Sequence, residues 1–402
     1  MFVRSALCAV VGWSLVTSNA WAQAPSPKIS FRKTVLDTIF RSEGAAVGDF
    51  NKDGRADIAA GFVWYEQPVS GDASGKWTMH PIGEKAPEYN PLGYSNSFCT
   101  FAEDLNGDGW SDILVVDFPG TPTWWFENPR KPDAPWPKHT LTPVTNNESP
   151  QFLDVDGDGQ RDLLAAYSPD PKAFDGPERR MGFMTRTSNI TQPWTIRPVS
   201  LPAAASTTRY SHGLGLGDIN GDKRQDIVVP QGWWEAPAES SQSEWTFHAA
   251  PLGQNCAQMY VYDYDGDGDA DVLSTSSHAV GLWWHEQLPE GKWKTHTIDT
   301  SFSQTHALCQ ADINGDGLPD FVTGKRWWAH GPKGDVDPDK PAVLYWFELR
   351  RDNGKAGWVA NLIDHDSGVG TQFEVADLSG DKLLDIAISN KKGVFYFQQM
   401  RE

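Results

Sequence analysis

Three scarcities bound what this chain can be. Cysteine is rare, four in 402 residues, which leaves no material for a disulfide framework. Basic residues are outnumbered, 34 Lys and Arg against 53 Asp and Glu for a formal charge of −19, which argues against nucleic acid or an anionic membrane surface as partner. After the first residues of the chain, no stretch approaches the ~20 apolar residues that membrane insertion requires.

The first 22 residues read as a secretory leader: Arg4 in a short basic start, an apolar run from Ala6 to Val16, and Ala20-Trp21-Ala22 as a small-x-small cleavage site. Cys8 lies inside the apolar run, too early for a lipoprotein cysteine, so Cys99, Cys256 and Cys309 would remain, an odd number. A secreted or periplasmic mature chain, residues 23–402, is expected as a single domain. Its length exceeds what one ordinary core supports, so the core must be added unit by unit.

The acidic residues are patterned. Asp-x-[Asp/Asn/Ser]-x-Asp-[Gly/Lys]-x-x-Asp occurs seven times, opening at Asp49, Asp104, Asp154, Asp218, Asp263, Asp312 and Asp377. In the first copy Asp49, Asn51, Asp53 and Asp57 would supply side-chain oxygens and Arg55 its carbonyl, while Gly54 permits the sharp turn. The same positions hold Asp104, Asn106, Asp108 and Asp112, then Asp154, Asp156, Asp158 and Asp162, then Asp218, Asn220, Asp222 and Asp226. They continue with Asp263, Asp265, Asp267 and Asp271, with Asp312, Asn314, Asp316 and Asp320, and with Asp377, Asp381 and Asp385. Oxygen-only donors favour Ca²⁺; zinc would want imidazole or thiolate, which these loops lack. An isolated copy could be a plain Asx-turn, but seven in register point to several structural calcium sites. Two copies depart from the pattern: Lys223 replaces the glycine of the fourth, and Ser379 and Lys382 replace a ligand and the glycine of the seventh. These two are expected to bind most weakly. Seven ions would bring the mature chain from −20, after loss of Arg4, to −6, so metal loops explain much of the acidity.

Around each loop lie short strands: one before it, one after it, an aromatic one such as Val63-Trp-Tyr-Glu66 or Trp283-Trp-His-Glu286, and an outer one such as Trp77 to Ile82 or Trp293 to Ile298. The seventh repeat stops after its third strand near Gln399, while the chain begins with an unpartnered Phe31-Arg-Lys-Thr-Val-Leu36 of outer-strand type. The expectation is therefore an all-β, seven-bladed propeller of four-stranded antiparallel blades, closed by its N-terminal strand, which removes two exposed edges. A linear β-solenoid competes, but its repeats are shorter than 45 to 65 residues. Most of the nineteen tryptophans then serve blade packing, and His80, His139, His248 and His296, which recur at one outer-strand position, read as structural.

Six residues before each loop's first aspartate, the repeats reach the mouth of the central channel: Glu43, Phe98, Glu148, His212, Ala257, His306 and Thr371. Two glutamates and two histidines exceed what packing requires and suit general acid–base work, or a further divalent metal there beside the calcium sites. Lys325, Arg326 and His330, from a long insertion in the sixth repeat, and Tyr210, just before His212, would add cationic and hydrogen-bonding groups on this face opposite the calcium loops. A solvated channel lined by strand-start polar residues is the plainer alternative.

Gly217-Asp-Ile-Asn-Gly-Asp222 and Asp312-Ile-Asn-Gly-Asp-Gly-Leu-Pro-Asp320 resemble the unit of the FG-GAP/VCBS repeat family. The resemblance implies a calcium-loaded seven-bladed propeller, as in integrin heads, on a fold that hosts adhesion modules, lectin-like domains and enzymes alike. The pairing of Trp-aromatic-x-Glu-Asn-Pro with Trp-Thr-x-His/Arg-x-Ile is also similar to the propeller domain of aldos-2-ulose dehydratase. That likeness implies β-elimination of water from a keto-sugar, with His212 or His306 as base and Lys325 and Arg326 stabilising the enolate. The expected partner is thus a carbohydrate; a non-catalytic module binding carbohydrate or protein on the same rim is the competing reading.

Overall fold

The computed structural model describes residues 28–69, 75–131, 134–239, 244–352 and 354–402. The leader and its cleavage site lie outside these residues. Among the described residues there are 28 strands and two short 3-10 turns, and no helix is long and apolar enough to cross a membrane.

The strands form five separate four-stranded sheets and one of eight strands. Seven separate sheets were expected; the fourth and fifth units instead share one, through parallel pairing of their innermost strands Leu214–Gly217 and Gln258–Tyr262. The cause is two missing side chains. A Cβ on Gly215 would stand 2.4 Å from the Met259 carbonyl oxygen, and one on Gly217 would stand 2.4 Å from Val261 Cβ. Without those atoms the two backbones close to hydrogen-bonding distance.

The first described strand, Ile29–Asp37, lies antiparallel on the last, Gly393–Arg401, with Phe31 opposite Gln399. It completes the final sheet from outside, as the unpartnered N-terminal segment implied, and joins the two ends of the chain in one blade. Buried glutamine amides bind neighbouring innermost strands to one another. Gln372 accepts from the amides of Ala45 (3.1 Å) and Thr100 (3.2 Å) and donates to the Ala45 carbonyl. Gln258 donates to the Thr371 carbonyl at 3.0 Å and accepts from Leu308 N at 3.0 Å. Each amide is thereby satisfied where water is excluded.

Within four of the blades, stacked rings tie the third strand to the outer one. Trp64, Trp125, Trp233 and Trp284 stack on His80, His139, His248 and His296 of the adjoining outer strands, with ring centroids 4.2 to 4.4 Å apart. Each imidazole's Nε2 lies 2.5 to 3.2 Å from a glutamate of the aromatic strand: Glu66, Glu127, Glu235 or Glu286. These four histidines are packing elements. Such a ring pair contributes about 0.5–1.5 kcal/mol beyond its buried area, and the repetition adds it blade after blade.

The seven acidic loops each join the innermost strand of a unit to the second, so all lie on one face. The connections between second and third strands open on the other, and two of them are long: residues 168–179 and 325–343.

Candidate active site at the channel mouth

The residues before the innermost strands meet at this second face. Glu43 is fully buried and receives the guanidinium of Arg326, itself 1% exposed. The same guanidinium lies 3.8 Å from Glu148, and the Glu148 carboxylate lies 3.3 Å from His212 Nε2. His212 and His306 follow, rings 5.4 Å apart and nearly perpendicular. Glu43, Glu148, His212, His306 and Arg326 are thus one cluster. Thr371 joins it through its amide, 2.8 Å from the Glu43 carbonyl, and Phe98 through its ring, 5.7 Å under Arg326.

Charge in this cluster is set by neighbours. Burial favours a neutral Glu148, but His212 and then Arg326 outweigh it and hold the carboxyl below its usual range. Burial likewise opposes the charge of Arg326, and Glu43 and Glu148 more than restore it. His306 is held neutral by burial first and by the nearby Arg326 second. Nδ1 of His212 donates to the Tyr210 carbonyl at 2.7 Å, which fixes the ring and leaves Nε2 turned to the cluster.

A cavity of about 410 Å³ opens above, lined by Tyr94, Phe118, Glu148, Tyr210, His212, Asn255, His278 and His330. Its size lies within the ~300–1,000 Å³ of small-ligand sites. His330 is on its wall, with Nδ1 2.9 Å from Asp335 and the ring stacked on His278 at 4.7 Å. Tyr210 stands at its rim, 43% exposed. Lys325 stands apart, its ammonium bound to main-chain carbonyls of its own insertion, among them Lys340 at 2.9 Å and Pro338 at 3.3 Å. It clamps that loop and has no reach to the cavity.

His278, Asp335, Tyr94 and Lys391 were not foreseen. Burial pushes the Lys391 ammonium down to about 8, with Arg326 adding to the effect; it donates to the Trp328 carbonyl at 2.9 Å. A signal for some of them was available. Second strands also end on this face, at Val116, Thr275, Gly324 and Asn390, so counting forward one to three residues yields Phe118, His278, Arg326 and Lys391.

On the opposite face the donor chemistry of the loops suits calcium. Carboxylate oxygens of Asp154, Asp156 and Asp162 lie within 4.8 Å of one another, as do those of Asp263, Asp265 and Asp271. In the seventh loop the hydroxyl of Ser379, at a ligand position, is buried without a hydrogen-bond partner, so an oxygen is still presented there. Lys223 (φ 72°) and Lys382 (φ 70°) adopt the left-handed turn that Gly54 (φ 84°) and Gly109 (φ 84°) adopt in other copies. The loops therefore keep one shape despite the substitutions.

An FG-GAP-like repeat model matches residues 104–165 and 263–323, which span the second and third loops and the fifth and sixth. The chain carries FG-GAP-like repeats. Among curated proteins none matches the sequence. Solved structures similar to this FG-GAP propeller include an Agrocybe aegerita lectin described as recognising non-reducing terminal N-acetylglucosamine (14% identity, TM-score 0.46, covering 84% of this chain and 81% of that one). Others are BBS1N in complex with ARL6DN (10%, 0.46, 92% and 96%) and the V. cholerae biofilm matrix protein Bap1 (10%, 0.38, 93% and 88%).

Proposed function

We propose that this is a secreted, calcium-binding FG-GAP propeller that acts on a carbohydrate at the channel mouth, removing water from a keto-sugar. One observation carries the reading: a buried glutamate, Glu148, held ionised between His212 and Arg326 on the wall of a ligand-sized cavity. Tyr94, Phe118 and Tyr210 offer aromatic surface to the C–H face of a sugar ring, and Asn255, His278 and His330 offer hydrogen bonds to its hydroxyls.

Glu148 takes the proton from the carbon beside the carbonyl, and the C–H electron pair passes into an enolate. When the enolate collapses, a conjugated double bond forms and the C–O bond at the next carbon breaks. The departing hydroxyl takes a proton from the imidazole of His330 and leaves as water. His306, buried beneath the cavity, serves as support. This differs from the expectation that His212 or His306 is the base and Lys325 the enolate's partner.

The exposed rim favours a second reading, glycan capture without chemistry: Tyr94 and Tyr210 flank Phe118 at ring distances of 5.6 and 5.7 Å. Incubation with 2-keto- and 3-keto-sugars separates the two. An enone absorbance that grows with wild type and falls at least about 100-fold with Glu148→Gln supports elimination. Tight glycan binding with no absorbance change from any keto-sugar sinks it.

A further inference from the structure

We infer that His212, His278 and His306 form a binding site for one divalent transition-metal ion of the zinc class, at the base of the channel-mouth cavity and distinct from the calcium loops. Each offers a ring nitrogen, and the three lie within 4.8 Å of one another. The rings converge at 4.8, 4.9 and 5.4 Å with near-perpendicular planes, which is how imidazoles point their edges at a common centre. They come from three different units of the propeller, so the ring's closure and not local sequence assembles them.

The second observation is what their nitrogens lack. His212 and His306 are 4% and 3% exposed, yet Nε2 of His306 has no hydrogen-bond partner, and Nε2 of His212 has only the Glu148 carboxylate near it, at 3.3 Å and outside hydrogen-bond geometry. Leaving a buried nitrogen unmet costs about 1–3 kcal/mol, so the His306 nitrogen, converging with those of His212 and His278, calls for an occupant. The far nitrogens are all anchored by oxygen: His212 Nδ1 to the Tyr210 carbonyl at 2.7 Å, His306 Nδ1 to the Gln304 carbonyl at 3.3 Å, and His278 Nδ1 to Asp335 at 3.2 Å. This is the outer-shell arrangement that orients metal-binding imidazoles and keeps their second nitrogen free. Three imidazoles make a borderline donor set suited to zinc and its neighbours and unsuited to Ca²⁺. Zn–N bonds of about 2.0–2.1 Å place tetrahedral nitrogens about 3.4 Å apart, a contraction that small ring rotations supply.

The ion deepens the elimination reading and rests on it only for its role: a Lewis acid at this point would polarise the sugar's carbonyl beside Glu148. The test is cobalt titration of the full mature chain in excess calcium, which saturates the oxygen-only loops. One equivalent of Co²⁺ should give the intense visible bands of a nitrogen-rich tetrahedral site, and Zn²⁺ should displace them. His278→Ala, which alters the most accessible ring, and His306→Gln should each weaken Zn²⁺ binding more than about 100-fold, and Asp335→Asn by about 10–100-fold. His330→Ala should leave the bands intact. A folded wild type without such bands, or bands that survive both His278→Ala and His306→Gln, overturns the site. The two readings fail separately. A zinc-loaded protein that turns over no keto-sugar sinks the substrate reading, whereas turnover undiminished by a strong chelator with no bound metal sinks the metal.

Discussion

The two faces of the ring are built by opposite rules. On the loop face the same nine-residue turn appears seven times, and its aspartates do the same task in every unit: the carboxylates of Asp57, Asp112, Asp162, Asp226, Asp271, Asp320 and Asp385 each accept the amide of the residue after the loop's first aspartate. On the mouth face the seven equivalent positions carry five different residue types. Glu43, Phe98, Glu148, His212, Ala257, His306 and Thr371 occupy equivalent positions, and their differences are what build a cluster. Repetition makes the scaffold, and departures from it at the axis make the site.

If that division is real, the largest effect comes from stripping calcium. A loop whose ion is present at 100 times its dissociation constant contributes about 2.7 kcal/mol. The third and fifth loops, with their convergent carboxylates, then contribute about 5 kcal/mol together, which lowers the melting temperature by roughly 7 °C for a chain of this length. Thermal melts with and without a calcium chelator read this directly, and superimposable curves would reduce the loops to plain turns.

The mouth face should instead hang on one cation. Arg326 stands between Glu43 and Glu148, all three buried, so Arg326→Met strands two carboxylates in a low-dielectric interior. We expect a loss of about 3–5 kcal/mol in urea unfolding. The loss should be the same with and without calcium, because the cluster sits on the other side of the ring. A calcium-dependent loss would show the faces to be coupled.

Acidity sharpens the contrast a third way. Burial pushes the carboxyls of Asp57, Asp112, Asp162, Asp271 and Asp320 up to about 7, and those of Asp226 and Asp385 to about 6. Unfolded aspartates titrate near ~3.9, so the folded calcium-free chain holds more protons between these limits. Its stability is then greatest at the acid end and is lost as pH rises through 6 to 7. The calcium-free protein should melt at a higher temperature at pH 5.5 than at pH 8, and saturating calcium should flatten the difference. A calcium-free protein more stable at pH 8 contradicts this.

Legibility in the sequence followed the same division. The seven loops, the four strands around them and the N-terminal strand that closes the ring could be read because each rests on a periodic pattern. The fused pair of sheets could not, since it depends on two glycines, Gly215 and Gly217, that differ from other innermost-strand residues only by what they omit. Glu43, Glu148, His212 and His306 were found by register counting, and Arg326 from its place in the sixth repeat's insertion. His278 and Asp335 escaped because they lie in connections of unequal length, where position in the chain says little about position in space. Lys325 was misjudged for the same reason: beside Arg326 in sequence, it turns into its own loop and spends its charge on carbonyls.

The smallest effect tests how strictly the loop face repeats. Lys223 and Lys382 hold a left-handed backbone conformation where other copies have glycine, a conformation that costs a residue with a Cβ about 1–2 kcal/mol. Lys223→Gly should recover part of that, offset by the greater freedom glycine gives the unfolded chain, for a net gain of about 0.5–1 kcal/mol. It also removes a positive charge from a loop proposed to bind calcium, so the gain in melting temperature should be larger with calcium than without. If Lys223→Gly is neutral or destabilising in both conditions, the fourth loop is a turn that has left the calcium-binding set, and the loop face repeats in shape alone.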